Sequence, residues 1–337
     1  MSSSADRDVV VVGAGAAGVG AGRALAAAGC RFVILEARAR VGGRAWTIEA
    51  GHGIAVDLGC EWLHSATVNP LVPLARTAGV VVDEYDKYWA EESDKAKLGE
   101  QAYAEFRGTV DGLFAEAEAL AAAGGPDAAL GDLLPANHRW RPAIEAICSW
   151  SSGARLDQIS AVDLGRTGDS RVNWRLPDGY GALIHALAAS LPLRLATPVT
   201  RIDWRGLDIV VETAAGSLTA RQVILTLPTN VLAGGGVEFL PALPVTKLQA
   251  AADLPLGANL KVFLKVEGQP FGPPRDLQMP ASHDRADAAF LHMHPFGRPI
   301  AAAYLGGDLA RDLEAAGPAV IAAFVEEEFA AACGESV

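Results

Sequence analysis

The first patterned stretch is an unbroken apolar run, Val9 to Val12, entered from Asp8 with no alternation of polar positions. A run of this kind fits a strand covered on both faces. It leads straight into Gly13-Ala14-Gly15-Ala16-Ala17-Gly18, then into an Ala/Leu-rich stretch that predicts a helix to Ala28, with Gly29 as its stop. A second apolar run, Arg31 to Leu35, predicts another buried strand, closed by Glu36. From about Glu84 to Ala161 the pattern becomes amphipathic and helical, as in QAYAEFRGTVDGLFAEAEALAAA. AAAGGPDAA, Ala121 to Ala129, reads as a loop between helices. From Val237 the pattern is strand-like again, as in LKVFLKV and AAAYL. The chain thus weaves between two domains, with no internal repeat.

Composition narrows this picture only a little. A length of 337 residues is long for one simple core, and 50% hydrophobic with 20% charged residues is ordinary globular composition. The formal net charge of −12 argues against nucleic acid as a partner. MSSSADRD lacks the apolar region of a secretory signal, and no apolar run is long enough to cross a membrane. The 4 cysteines, Cys30, Cys60, Cys148 and Cys333, are scattered without C-x-x-C and read as reduced thiols, so a cytoplasmic location is expected. His292-Met293-His294 would put two imidazoles on one side of a strand. No third ligand has matching spacing, although His283 and Asp287 are near, and no metal is expected. Oligomeric state is not indicated.

Strand, glycine turn, helix, strand and acid make a βαβ opening, and each part has a physical task. Gly13 permits the tight turn, Gly15 lets backbone approach a pyrophosphate, and Gly18 allows close helix–strand packing. The helix start, including Ala17, offers N–H groups and partial positive charge to phosphates. Glu36 stands where an acid accepts hydrogen bonds from ribose hydroxyls and repels a 2′-phosphate, which disfavours NADP. These residues therefore predict a dinucleotide containing ADP.

The following segment is more specific. EARARVGGRAW (Glu36 to Trp46), with VDLGCEWLHS (Val56 to Ser65), resembles the flavin-containing amine oxidases, which include monoamine and polyamine oxidases. The resemblance implies that the turn after the acid folds back over the FAD pyrophosphate, with Gly42 and Gly43 close to it and Arg44 neutralising its charge. Ala37 and Arg38 fall beside the adenosine ribose, whereas Arg40 reads as part of a solvated loop. Gly59, Cys60, Glu61 and Trp62 are then expected along the ribityl chain and isoalloxazine edge. Trp62 reads equally as core, and His64 as a structural histidine. DGYGAL (Asp178 to Leu183) resembles the family's glycine turn before a helix. LRLATPVTRIDW (Leu193 to Trp204) resembles the strand whose valine, here Val199, touches adenine through its backbone. RQVILTLP (Arg221 to Pro228) resembles the strand that closes the FAD domain. GANLKVFLK (Gly257 to Lys265) carries the family lysine at Lys261, which otherwise reads as a strand lysine reaching to the surface like Lys265.

The resemblance implies an α/β fold: a Rossmann-like FAD-binding domain of the GR2 type, residues 1–80 and 190–235, interleaved with an α+β substrate domain, 81–189 and 236–337. It also implies oxidation of a small-molecule amine to an imine, by hydride transfer to FAD and reoxidation by dioxygen to hydrogen peroxide. The family's later segment, with an AGE-type turn and substrate-flanking aromatics, finds no counterpart before Val337. The expectation is therefore a chain lacking that segment, with aromatic-cage residues and any covalent flavin link unassigned. Two alternatives stay open: a related FAD-dependent desaturase or protoporphyrinogen-oxidase-like enzyme, and a non-catalytic nucleotide-binding remnant.

Overall fold

Strand β1 (Arg7–Val12) is buried on both faces, so its alternate residues enter two different cores. Val9 and Val11 point into one with Phe32 and Ile34, while Val10 and Val12 join Val33 and Leu35 in the other. That is why the run shows no polar alternation. The computed structural model describes residues 5–85, 91–267 and 275–333. The chain divides into two compact units, Met1–Tyr85 with Ser170–Leu256, and Asp86–Asp169 with Gly257–Val337.

The first unit begins with β1, helix α1 (Ala16–Ala27) and β2 (Phe32–Leu35). A hairpin of β3 (Thr47–Glu49) and β4 (Ala55–Asp57) follows, then β5 (Trp62–Leu63) and α2 (Leu71–Thr77). The chain then builds helices of the second unit: α3 (Glu91–Leu98), α4 (Glu100–Ala123), α5 (Arg141–Ser152) and α6 (Ala161–Arg166). It returns through β6 (Trp174–Arg175), α7 (Tyr180–Ala188), β7 (Leu193–Arg194), β8 (Val199–Asp203), β9 (Ile209–Thr213) and β10 (Gly216–Leu225). α8 (Thr229–Ala233), β11 (Glu238–Leu240) and α9 (Val245–Ala252) complete the first unit. The second unit resumes with β12 (Asn259–Lys265), β13 (Leu277–Pro280), β14 (Phe290–Met293), β15 (Ile300–Gly306), α10 (Gly307–Ala316) and α11 (Pro318–Cys333).

The first unit's seven-stranded sheet has the order β11-β8-β9-β10-β1-β2-β7. β10, β1, β2 and β7 run parallel to one another, while β8, β9 and β10 form an antiparallel meander. The second unit's sheet is antiparallel, in the order β12-β15-β14-β13. One face of it is apolar: Leu291, Met293, Ala301, Ala303 and Leu305 pack with Leu313, Val325 and Phe329 of α10 and α11. A separate helical core holds Phe106, Val110 and Leu113 of α4 against Trp140 and Ile144.

Several local expectations are corrected. Residues 81–85, 170–189 and 236–256 belong to the first unit. Leu183, Ile184 and Leu187 of α7 fill the core that contains Val9 and Ile34, and β11 pairs with β8. AAAGGPDAA is helical to Ala123, and Gly124, at φ +65°, ends α4. LRLATPVTRIDW forms two strands, broken where Ala196 adopts φ +48°. Val245–Ala252, within the stretch read as strand-like, is helical.

Candidate functional site

The turn between β1 and α1 is shaped by a contact that only glycine permits. A Cβ on Gly18 would lie 1.8 Å from the Gly13 carbonyl oxygen and 2.9 Å from its carbonyl carbon. α1 can therefore begin directly over the end of β1. Its N-cap is Gly15, no side chain caps it, and its first turn holds no acidic residue. Helical geometry leaves the first N–H groups, those of Ala16, Ala17 and Gly18, without intrahelical acceptors. Ala16 and Ala17 are exposed. The turn itself is held from the neighbouring strand end, where the Thr226 hydroxyl donates to the Val12 carbonyl at 2.8 Å and lies 3.2 Å from that of Gly13.

Residues 40–44 fold back onto this turn. Gly42 N–H donates to the Ala14 carbonyl at 2.9 Å, and Gly15 and Gly42 form a parallel bridge. A Cβ on Gly43 would come within 3.2 Å of the Gly15 Cα, so two bare backbones lie side by side. Arg40 is half-buried and does not lie in a solvated loop. Its guanidinium donates to the Gly43 carbonyl at 2.8 Å and sits 4.5 Å from the centre of the Trp46 ring. Burial, with Arg38 nearby, lowers its pKa from the usual arginine value. Arg38 and Arg44 remain exposed.

Glu36 is buried at 8% exposure and organises both sides of the turn. Its Oε2 accepts from the Ala14 N–H at 2.7 Å and its Oε1 from the Arg38 N–H at 2.9 Å. Each carboxylate oxygen retains a second lone pair for a hydroxyl donor. The backbone carbonyls of Glu36 and Arg38 accept from the N–H groups of Thr197 and Ala196 at 2.8 Å each. This ties the segment that leads into β8, two residues before Val199, to the backbone of the acid.

VDLGCEW continues the same surface. The Cys60 N–H donates to the Arg44 carbonyl at 3.1 Å, and a Cβ on Gly59 would lie 1.6 Å from that oxygen. Cys60 is exposed and forms no disulfide. Glu61 is buried and pairs with Arg175, which has no exposure, at 3.0 Å. The Arg175 guanidinium also stands 4.9 Å from the centre of the half-buried Trp62 ring. Asp57, buried at 6%, accepts from the Thr47 hydroxyl and from the Tyr180 N–H, at 2.9 Å for its nearer oxygen. The Gly181 N–H donates to the Thr47 hydroxyl at 2.8 Å. The β3–β4 hairpin thus caps α7, and burial pushes the Tyr180 hydroxyl up to about 12. His64, read as structural, is exposed and lies 3.0 Å from Asn173 through its Nδ1.

Gly13, Gly15, Ala17, Gly18, Glu36, Ala37, Arg38, Gly42 and Gly43 therefore meet around one turn, with Arg44, Gly59 and Cys60 joined to it through a shared backbone contact. Sequence reading gave no particular role to Thr226, Asp57 or Arg175, whose contacts span long separations. Lys261 belongs to the second unit, half-buried on β12 and directly opposite Tyr304 of β15. His292 and His294 do not share one face. β14 ends at Met293 and His294 turns to φ +48°, so His292 meets Asp276 while His294 meets the Arg298 carbonyl. Among the described residues no group of three or more His, Cys, Asp or Glu could hold a metal, and no helix is long and apolar enough to cross a membrane.

An uncapped helix start, two abutting glycine backbones, exposed arginines and a buried carboxylate suit a dinucleotide carrying ribose and diphosphate. Comparison with known proteins agrees. The family described as "Flavin containing amine oxidoreductase" matches residues 16–164 and 145–337. The chain is 27% identical over 338 residues to polyamine oxidase 2 of Arabidopsis thaliana, spanning 91% of this chain and 68% of that protein. A double mutant of putrescine oxidase superposes with a TM-score of 0.74 at 18% identity, covering 97% of this chain and 82% of that one. Cyclohexylamine oxidase from Brevibacterium oxydans IH-35A gives a TM-score of 0.72 at 20% identity, covering 98% and 82%. At those identities the structural likeness is one of fold.

Proposed function

This chain belongs to the flavin-containing amine oxidoreductase family, and from that premise we propose that it oxidises an alkyl amine to an imine, passing the electrons to dioxygen. It is an oxidoreductase and its cofactor is FAD. In the proposed reaction the C–H and N–H hydrogens of the amine leave with two electrons, and dioxygen takes both hydrogens and both electrons as hydrogen peroxide. FAD, when bound, supplies the two-electron acceptor between amine and dioxygen.

The chain's own residues hold and orient. The free N–H groups at the start of α1 and the exposed Arg44 bind the diphosphate, with the guanidinium suited to paired phosphate oxygens. Glu36 accepts from the adenosine ribose through the lone pairs left by Ala14 and Arg38. Lys261 is the group that holds a water at the flavin and exchanges protons with it through Nζ; its support is the match of Gly257 to Lys265 with the family segment. The substrate class rests on the relatives, which are named for polyamines, putrescine and cyclohexylamine. The acidic balance of −12 suits a cationic amine as well.

The observation that carries the reading is the Gly42–Gly43 turn lying against Gly15 beside the uncapped start of α1. The test is peroxide release by the FAD-loaded protein with a polyamine, putrescine and cyclohexylamine, with catalase abolishing the signal. One peroxide per amine consumed is expected for at least one of them. A yellow protein that releases none with any amine overturns the proposal. If Lys261 acts at the flavin, Lys261→Met slows flavin reduction or reoxidation, and unchanged kinetics reject that role.

A further inference from the structure

The two faces of the second unit's sheet are chemically unlike. The face against α10 and α11 packs an apolar core. The other carries Lys261 and Phe263 on β12, Phe290 and His292 on β14, and Ala302 and Tyr304 on β15. Three of these side chains, with Asp276 just before β13, form a continuous array. His292 and Asp276 have no solvent exposure, and His292 Nε2 lies 3.0 Å from Asp276 Oδ1. The same Asp276 oxygen accepts from the Phe296 N–H at 3.0 Å, and its partner oxygen accepts from Arg275 Nε at 2.8 Å. On the far side of the imidazole, Nδ1 lies 3.4 Å from the Tyr304 hydroxyl and 3.5 Å from Gln278 Nε2. Tyr304 stands directly opposite Lys261 in the β12–β15 register, and the lysine Nζ is 5.2 Å from the centre of its ring.

We propose that Asp276, His292 and Tyr304 position Lys261. This rests on the reading that Lys261 acts at the flavin, and it names the residues that hold the lysine for that work. An ionised carboxylate only accepts hydrogen bonds, so a neutral His292 carries its proton on Nε2 and presents Nδ1 as an acceptor. The Tyr304 hydroxyl then donates to Nδ1, which fixes the ring plane and leaves the ring richer in electron density. An electron-rich ring in a fixed plane is a directional seat for an ammonium group. Tyr304 contributes its apolar edge to the same arrangement, packing with Phe290 and Ala302.

Two features separate this from simple packing. The side chains that the opposite face of the sheet packs into its core are apolar, and replacing a buried hydrogen-bonded polar pair by apolar groups of the same shape can be nearly neutral. The backbone is also bent around the carboxylate: Asp276 is at φ +63° and Phe296, which donates to it, at φ +59°. Such conformations persist where the surroundings impose them.

The test uses the full chain. Reductive methylation with 13C-formaldehyde makes each lysine an NMR probe, and the Lys261 signal is identified by its loss in Lys261→Arg. Contact with the Tyr304 face predicts an upfield methyl proton shift relative to exposed Lys265. That shift falls at least twofold in Tyr304→Phe and in His292→Leu, and vanishes in Tyr304→Leu. An unshifted Lys261 signal in the parent protein, or an undiminished shift in Tyr304→Phe, overturns the proposal. Tyr304→Phe is nearly isosteric and leaves His292 and Asp276 in place, so it decides the matter should His292→Leu fail to fold. On the FAD-loaded protein with its amine, Tyr304→Phe lowers the rate of flavin reduction by roughly tenfold with little change in KM, as expected for lost orientation. The expected shifts together with unchanged Lys261→Met kinetics would support the positioning and reject the flavin role of the lysine.

Discussion

The sharpest prediction compares two glycines on one helix. Gly18→Ala would place a methyl group 1.8 Å from the Gly13 carbonyl oxygen, whereas a Cβ at Gly20 would meet nothing within 4 Å. To reach an ordinary contact of about 3.4 Å, the start of α1 must withdraw from β1 by roughly 1.6 Å. Overpacking of this kind destabilises by about 1–3 kcal/mol. The proposed effect on FAD is larger, because the same displacement would carry the N–H groups proposed to bind the phosphates out of hydrogen-bond range. With about 1.5–3 kcal/mol for each such bond to a charged group, losing two would weaken FAD by about 100-fold to 30,000-fold. Gly20→Ala removes backbone entropy from the unfolded chain without any clash, and should stabilise by about 0.5–1 kcal/mol. Urea melts of the apoproteins and calorimetric titration with FAD measure both effects. If Gly18→Ala binds FAD like the parent, or if the two variants change stability in the same direction, the close-approach argument fails.

Other predictions address neighbouring contacts. Glu61→Ala removes the carboxylate paired with Arg175, which has no exposure, and should lower stability by about 3–5 kcal/mol in urea melts; a loss under 1 kcal/mol would contradict a buried pair. Asp57→Ala removes the acceptor shared by the Thr47 hydroxyl and the Tyr180 N–H, and should lower stability by about 2 kcal/mol, which a matched thermal melt checks. Asp94 is raised to about 6, chiefly by burial, with Lys97 and Arg107 opposing. A carboxyl raised in the folded state leaves stability intact below its unfolded value of 3.8, and erodes it as pH rises towards 6. Asp94→Asn should therefore stabilise the protein by about 2 kcal/mol at pH 7.5 and by much less at pH 4. Equal effects at the two pH values would contradict the burial argument.

What the sequence disclosed was local. Gly13, Gly15, Gly18 and Glu36 lie within one βαβ stretch, and their expected tasks follow from their spacing between strand and helix. The Gly42–Gly43 turn was readable through its resemblance to a family segment. What stayed hidden depends on distant partners. Thr226 meets Gly13 across 213 residues, Asp57 meets Tyr180 across 123, and Glu61 meets Arg175 across 114. No periodicity can reveal such pairs. Arg40 was misread because a charged residue in a polar turn gives no sign that a carbonyl and an indole will cover it. The two histidines of His292-Met293-His294 were placed on one face because strand alternation was carried one residue too far, past the left-handed turn at His294. The helix Val245–Ala252 shows that a short apolar stretch does not choose between strand and helix on its own.

The central claim is that this chain holds FAD and uses it to oxidise an amine. Its most direct test is an anaerobic titration of the FAD-loaded protein with an amine that supports peroxide release, followed in the visible spectrum. The expected result is bleaching of the flavin band by one equivalent of amine per FAD, and return of the band on admission of dioxygen with one equivalent of peroxide. An oxidised spectrum that persists under excess of every amine tried would contradict the account.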